Sequence, residues 1–452
     1  MKLKKIEIKN FKSLKDCSID LRGFNVVVGP NASGKTNLVE LFKLLRKIYV
    51  DREPFPFLDW WGGYDNVVWD RKEELPITVK LFFESDGYNF SFETFFTGVG
   101  GKFQILKEVF EIDGILTLER EGEWVRVKHD EQFFEEAWEK IQQTKGAKQA
   151  PFDQFFGREK ESLIEQSVRV SEEVIPHVGF IRMGYSGTAT YHENLALTLV
   201  NYQRQMQQYQ MFVLEPAIRR EVRRGVEDGR EEPREPFSWY VVRKIPEFIG
   251  KITILRELNI REMKEPYKQR REVLISEDGI NACNILYNLF LKENKLPDRI
   301  DSLMSYIFPD TSLRFELMSD GRVLMKVFEK YATGRLLELY PPGISDGFYK
   351  LLTVLTALES EPSLLVVDEV ENSLHAKALE LIIDELKENA CMAILTTHSP
   401  VVVDMVSVED LILVEKSDEG SVFRKTEKPE EMRKELSEAG ITLSERWLYG
   451  KL

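Results

Sequence analysis

The chain is poor in cysteine: Cys17, Cys283 and Cys391 are the only three in 452 residues, and none stands near another. That excludes a disulfide framework and a cysteine-bound zinc centre, and leaves the three thiols as small buried hydrophobes. Long apolar runs are also missing. No segment approaches the 18 or so consecutive apolar residues that a membrane span needs, and the opening Met1-Lys2-Leu3-Lys4-Lys5-Ile6-Glu7 has no apolar signal core. A cytoplasmic protein with no membrane partner is expected. Positive charge is in deficit too, with 62 Lys and Arg against 76 Asp and Glu and a net charge of −14. A generally basic surface is therefore excluded, so any contact with DNA has to come from a local patch. No internal repeat and no low-complexity tract interrupts the sequence.

What is present begins with Gly29-Pro30-Asn31-Ala32-Ser33-Gly34-Lys35-Thr36. The apolar run Phe24–Val28 precedes it and a helical pattern, Leu38 to Ile48, follows. Strand, phosphate loop and helix stand in the order that a P-loop requires. Successive backbone N–H groups in such a loop form an anion nest, and the helix adds the positive end of its dipole. Four fixed positions match by accident in about one or two chains of this length per hundred, before the flanks are counted. A nucleoside triphosphate is the guest this loop suits. Gly29, Asn31, Ala32, Ser33 and Gly34 would cradle it, Lys35 would reach its β- and γ-phosphates, and the Thr36 hydroxyl would join the shell of a Mg²⁺ ion.

The rest of the chain falls into three parts. Residues 1–130 open with strands near Lys4–Lys9, Cys17–Leu21 and Phe24–Val28, pass through the aromatic connector Phe55–Gly63, and continue as alternating segments from Ile77 to Val127. This predicts a strand-rich, antiparallel lobe beside the phosphate loop. Residues 131–250 are charged and read as a mainly helical insertion, in which Leu195, Leu199, Tyr202, Met206, Tyr209 and Val213 recur at steps of three and four. A helix packed on its neighbour explains that stripe, and a short coiled arm or dimer seam is the alternative. Residues 251–452 return to compact patterns: a hairpin over Ser312–Lys330 turning at Asp320-Gly321, a helix over Phe348–Leu358, the apolar strand Leu364–Val367, a helix over Lys377–Asn389, and strands at Met392–Leu395 and Leu411–Val414. A charged helix and a short tail close the chain from Thr426. The fold class predicted is α/β, a P-loop NTPase with a strand-rich lobe and a helical insertion.

A phosphate loop needs a carboxylate at the end of a neighbouring strand, and Asp368 ends such a strand, with Glu369 after it. Asp368 would support the metal through water, and Glu369 would orient or deprotonate the attacking water. An exposed acidic strand end is the ordinary explanation of such a pair; the phosphate loop is what favours the functional one. His398 follows the strand at Met392–Leu395, at the sheet edge where parallel strands gather their ends, and its imidazole could hydrogen-bond a γ-phosphate. Ser345, in Ile344-Ser345-Asp346-Gly347, is a good N-cap. Its helix start could also present N–H groups to a phosphate, including one held by another subunit.

Together these four elements resemble the ABC-type ATPase head of the SMC and RecF-like group. Within it, the chain looks like the stand-alone relatives of the overcoming-lysogenization-defect (OLD) ATPases, AAA-family proteins without the Toprim nuclease domain. Ile8-Lys9-Asn10-Phe11-Lys12-Ser13-Leu14 resembles the group's opening, Ile344–Gly347 its signature, Asp368–His375 its Walker B and D-loop, and Thr397-His398-Ser399-Pro400 its switch histidine. The resemblance implies a homodimer that closes on two ATP molecules, each held by one subunit's phosphate loop and by Ser345, Asp346 and Gly347 of the other. It further implies Lys35 and Thr36 on phosphate and Mg²⁺, Asp368 at the metal, Glu369 as the water-activating base, His398 as sensor of the γ-phosphate, and Lys12 near the nucleotide. Val370, Ser373 and Ala376 depart from the Pro, Gly and Pro of the group's pattern. No glutamine of the Q-loop type stands out, Gln104 being an ordinary strand residue.

The function expected is an ATP-hydrolysing, dimeric conformational switch that controls a DNA-directed or anti-phage defence effector. Only 54 residues follow His398, too few for a Toprim domain, so a nuclease or other effector is expected on a separate chain. The alternatives are a DNA repair or DNA-end-binding ATPase acting directly on DNA, through Arg219, Arg220, Arg223, Arg224, Lys268, Arg270 and Arg271, and a non-hydrolysing ATP-gated scaffold. A membrane transporter engine is disfavoured, because about 300 residues separate the phosphate loop from the signature.

Overall fold

Two kinds of sheet organise the chain, and they belong to two compact units. In the computed structural model the described residues are 1–85, 88–112, 116–121, 124–130, 163–169 and 237–449. One unit comprises Met1, Ile6–Lys12 and Leu44–Gly250; the other comprises Lys2–Lys5, Ser13–Lys43 and Lys251–Leu452. The Leu195–Val213 stripe and the Arg219–Arg224 cluster lie outside the described residues.

In the first unit, β1 (Lys2–Phe11, from Ile6 onward) is followed in sheet order by β4 (Ile77–Ser85), β5 (Tyr88–Thr97), β6 (Gln104–Ile112), β7 (Leu116–Glu121), β8 (Trp124–Asp130) and β9 (Leu163–Arg169). From β4 on, every neighbouring pair is antiparallel. Alternation buries Glu108, Phe110 and Ile112 of β6, and a register shift opposite Phe95 and Phe96 carries the burial over to Ile105 while Gln104 is exposed. The aromatic connector enters the core, with Phe57 packed against Tyr64, Phe96 and Phe103 at ring distances of 5.1, 6.4 and 5.8 Å. Strand β9 falls where the charged sequence predicts helix. Seven cross-strand pairings with β8, Trp124↔Arg169 to Asp130↔Leu163, outweigh the weak local preference. The insertion ends in helix, α2 (Phe237–Gly250), after α1 (Lys35–Arg46) near the start of the chain.

In the second unit, β2 (Leu14–Asp20) and β3 (Phe24–Val28) precede a sheet ordered β10 (Ile252–Leu255), β15 (Leu364–Val367), β16 (Met392–Thr397), β3, β17 (Leu411–Ser417) and β18 (Gly420–Arg424). The first five are parallel and only β18 runs against its neighbour. Every residue of β3, β10, β15 and β16 is buried, because helices cover both faces of such a sheet and leave no side of it for water. Helices α3 (Ala282–Glu293), α4 (Asp298–Ile307), α5 (Asp346–Glu359) and α6 (Ala376–Glu388) pack there, with Leu351, Leu355 and Ile382 fully buried. Apart from this sheet, β12 (Thr311–Leu317) and β13 (Arg322–Lys330) form the expected hairpin, joined by β11 (Tyr267–Lys268) and β14 (Leu336–Leu339). Its turn places Gly321 at φ +78°, a conformation glycine adopts without cost. The charged end forms α7 (Pro429–Ala439) and a shorter helix, Leu443–Leu448. The fold is thus the α/β P-loop type. Among the described residues no helix is long and apolar enough to cross a membrane.

Candidate active site

Strand β3 runs straight into the phosphate loop, and α1 begins at Lys35, three residues earlier than the hydrophobic pattern predicts. The glycines explain the tightness of the turn. Gly34 has φ +110°, and a Cβ there would lie 2.2 Å from Ser421 Oγ; a Cβ on Gly29 would lie 2.2 Å from the Val414 carbonyl oxygen. Ser421 supports the loop from β18: its hydroxyl donates to the Ser33 carbonyl at 2.6 Å and shares a 2.6 Å hydrogen bond with the Ser13 hydroxyl. Asn37 Nδ2 of α1 completes the brace by donating to Ser13 Oγ at 2.7 Å.

The Lys35 ammonium donates to the carbonyls of Gly29 and Pro30 at 2.7 and 2.9 Å, within the loop that would cradle a phosphate. Burial lowers its pKa, and the nearby Asp368, Glu369 and Glu371 oppose that shift. Thr36, next along α1, is half-buried, and Asn31 and Ala32 are exposed on the loop.

Since β16 lies between β15 and β3 in a parallel sheet, the carboxyl ends of all three reach one edge. Asp368 leaves β15 there. Its Oδ1 accepts the Thr396 hydroxyl, and its Oδ2 lies 3.4 Å from Arg256 Nε at the end of β10. Arg256 also reaches Glu40 Oε1 of α1 at 3.1 Å. Burial raises the Asp368 pKa, against the Thr396 hydrogen bond and the Arg256 charge. Glu369 stands at φ +50°; its N–H donates to Thr396 Oγ1 at 2.9 Å and its Oε2 accepts Asn372 Nδ2 at 2.6 Å.

His398 follows β16 and is held by Glu371. Glu371 Oε1 accepts the His398 backbone N–H at 3.0 Å and lies 3.2 Å from its Nδ1. The other Glu371 oxygen and the Ser33 hydroxyl are buried with no hydrogen-bond partner among the described residues. Two orphaned polar atoms in one crevice are what a polar ligand would satisfy.

Ser345 caps α5, its Oγ accepting Phe348 N–H at 3.3 Å, and Ser345 and Asp346 are exposed. Asp346 Oδ1 accepts Lys264 Nζ at 3.0 Å. Lys12 belongs to the first unit, where its backbone N–H donates to the Val67 carbonyl at 2.7 Å and its ammonium lies 4.8 Å from the Trp61 ring centre.

Lys35, Asp368, Glu369 and His398 therefore stand at adjoining ends of one parallel sheet. Sequence reasoning assigned no role to Arg256, Glu371, Thr396, Ser421 or Lys350. Glu371 lies within the Asp368–His375 motif and Thr396 directly precedes Thr397-His398-Ser399-Pro400, so their places were visible and their bonds were not. Arg256 had no signal, because only the pairing of β10 with β15 brings it to Asp368.

Residues 24–404 match the family described as "AAA domain, putative AbiEii toxin, Type IV TA system". The chain is also similar to the chromosome partition protein Smc of Methanocaldococcus jannaschii, 59% identical over 39 residues that make up 8% of this chain and 3% of that protein. It is similar to the DNA replication and repair protein RecF of Lactococcus lactis subsp. cremoris (strain SK11), 36% identical over 87 residues, 18% of this chain and 23% of that protein. The matches thus span less than a quarter of the length of these relatives. Similar solved structures include the SMC head bound to the C-winged helix domain of ScpA, at 12% identity, 96% of this chain, 100% of that chain and a TM-score of 0.48. Another is the SMC head domain from Thermotoga maritima, at 14% identity, 94% of this chain, 100% of that chain and a TM-score of 0.40.

Proposed function

The chain belongs to this AAA domain family, and from that premise we propose that it is an ATPase head of the SMC and RecF type that binds and hydrolyses ATP as a homodimeric switch. The observation that carries the reading is the meeting of Lys35, Asp368, Glu369 and Glu371-held His398 at the ends of β3, β15 and β16. The loop suits a triphosphate: two glycines leave no room for side chains, and the Ser33 hydroxyl and a Glu371 oxygen are buried without partners among the described residues. Mg²⁺, when bound, would neutralise phosphate charge, with the Thr36 hydroxyl as an oxygen donor and the Asp368 carboxylate supporting it through water. Phosphate oxygens and water would fill the rest of its octahedral shell.

In this reading Lys35 leaves the Gly29 and Pro30 carbonyls to meet the phosphates. Glu369 takes a proton from the attacking water, and His398, aimed by Glu371, meets the γ-phosphate. Thr396 holds Asp368 and the Glu369 N–H on one hydroxyl and so keeps metal support and base in register. The Ser345–Gly347 segment, exposed at Ser345 and Asp346, lies at the start of a 14-residue helix, where N–H groups and dipole favour a phosphate of the partner subunit. The family's description names a putative toxin of a type IV toxin–antitoxin system, a two-component arrangement that supports a second protein chain as a partner of the switch.

Turnover tests the proposal. Glu369→Gln should retain ATP binding and lose about 10²–10⁴-fold in hydrolysis, the usual contribution of a general base. In the same variant, molecular mass should double on adding ATP and Mg²⁺. Wild-type turnover no faster than that of Glu369→Gln would sink the enzyme assignment, and a monomer with and without ATP would sink the dimer.

Direct action on DNA is the second reading, favoured by the similarity to the replication and repair protein RecF and by the exposure of Lys268, Arg270 and Arg271. If these residues meet phosphates, neutralising all three should lower the salt slope of DNA binding by about 0.9 per lost contact. An unchanged slope rejects the patch.

A further inference from the structure

The proposed hydrolytic steps leave unused a buried charge beside Glu369. Lys350 lies in the second turn of α5, only 7% exposed, and its ammonium donates to the backbone carbonyl of Glu369 at 3.0 Å. Burial pushes its pKa down to about 8, although Glu371, Glu369 and Asp368 all act to raise it. Burying a lysine gives up hydration and side-chain freedom, and the carbonyl it holds belongs to a non-glycine residue at φ +50°. Backbone in that region persists only where its surroundings hold it.

A second contact joins the same two segments. A Cβ on Gly347 would lie 2.7 Å from the Ser373 carbonyl oxygen, and Ser373 is itself at φ +60°. The first two turns of α5 therefore touch the turn over residues 368–374 twice, by a hydrogen bond at one end and a side-chain-free approach at the other. Helix α5 is otherwise fixed by its apolar face, with Leu351, Val354 and Leu355 fully buried. A rigid helix with a ligand-facing start and a lysine on the Glu369 carbonyl can pass a displacement from one to the other.

We propose that Lys350 is a positioning residue that couples the two ATP sites of the dimer, by linking the Ser345–Gly347 segment, which faces the partner's nucleotide, to Glu369, which acts on its own. The proposal rests on the nucleotide-sandwich reading given above. When the segment engages the partner's nucleotide, α5 settles and Lys350 holds Glu369 in its strained, water-facing backbone conformation. Without that engagement the carbonyl is held less firmly and Glu369 is misplaced. Each site then hydrolyses ATP efficiently only when the other is occupied.

The test is steady-state hydrolysis by the full chain across ATP concentrations, for wild type, Lys350→Met and Lys350→Arg, with direct ATP binding measured alongside. Wild type should show a Hill coefficient well above 1. Lys350→Met should bring it to about 1 and reduce kcat about tenfold, while the ATP dissociation constant of an isolated site changes less than about twofold. Lys350→Arg, which keeps a donor and a charge, should restore cooperativity. If Lys350→Met does not fold, as judged by circular dichroism, Lys350→Gln takes its place. A folded Met or Gln variant with wild-type cooperativity overturns the proposal, as does a wild-type Hill coefficient of 1. The ATP-dependent mass of Glu369→Gln separates the two failures. A monomer there means that the sandwich reading has failed, whereas a dimer combined with unchanged cooperativity in Lys350→Met means that only the coupling has.

Discussion

The two sheets treat polar chemistry in opposite ways. In the antiparallel unit buried polar groups meet one another inside the core: Arg120 lies 3.6 Å from Glu108, and the Tyr49 hydroxyl lies within hydrogen-bond distance of Glu108, at 3.1 Å, and of the Thr94 hydroxyl, at 2.7 Å. In the parallel unit the inner strand β15 is wholly apolar, and charge gathers beyond the strand ends, where the Ser33 hydroxyl and one Glu371 oxygen have no hydrogen-bond partner among the described residues. The difference follows from connectivity. Antiparallel neighbours alternate direction, so no edge collects strand ends of one kind, whereas parallel strands deliver every carboxyl end to one crevice. One unit pairs buried charges inside its core, and the other gathers charges at its strand ends, where the proposed nucleotide would meet them.

The largest effect that would sharpen this contrast is expected from Glu108→Ala. Removing that carboxylate leaves the Arg120 charge buried without it, which should cost about 3–5 kcal/mol in chemical denaturation. ATP binding by the folded fraction should be unchanged. A loss of affinity in protein that remains folded would break the division of labour. Next, Leu365→Ala in the centre of β15 should cost about 2–5 kcal/mol through lost transfer energy and the cavity left behind. In this unit the damage should reach the site, so affinity for ATP should fall with stability.

The third effect is pH-dependent and smaller. The Lys350 pKa in the folded chain is about 8, below its unfolded value near 10.5. Between these values the unfolded chain binds a proton that the folded chain has released, so stability rises with pH there. Wild type should therefore gain on Lys350→Met as pH goes from 7.5 to 10, by at most about 3 kcal/mol, the ceiling set by the shift. A stability difference that stays flat over that window would show that the lysine is not strained by burial.

Much of this was legible in the residues. The Gly29–Thr36 loop between an apolar run and a helical pattern marked β3 and α1, and the alternation from Ile77 onward marked the antiparallel strands. The Asp320-Gly321 turn marked a hairpin. These signals are local, a turn's stereochemistry or the period of burial on one element. Helix α1 begins three residues early because the loop's backbone feeds directly into it, a matter of dihedral angles rather than of apolar spacing. Strand β9 was missed because its partner β8 ends 33 residues upstream, and local pattern carries no record of such a pairing.

The site divides along the same line. Residue type and strand-end position made Lys35, Thr36, Asp368, Glu369 and His398 the candidates, since phosphate and metal chemistry would call for those groups after those elements. The order of the sheet decided which of them meet, because β16 could have lain anywhere until it paired with both β15 and β3. Tertiary structure alone decided the supporting bonds, Arg256 to Asp368, Glu371 to His398, Ser421 beneath the loop and Lys350 on the Glu369 carbonyl. Each joins residues that separate elements present to one another, and the direction of a side chain in space is a property of the packed chain.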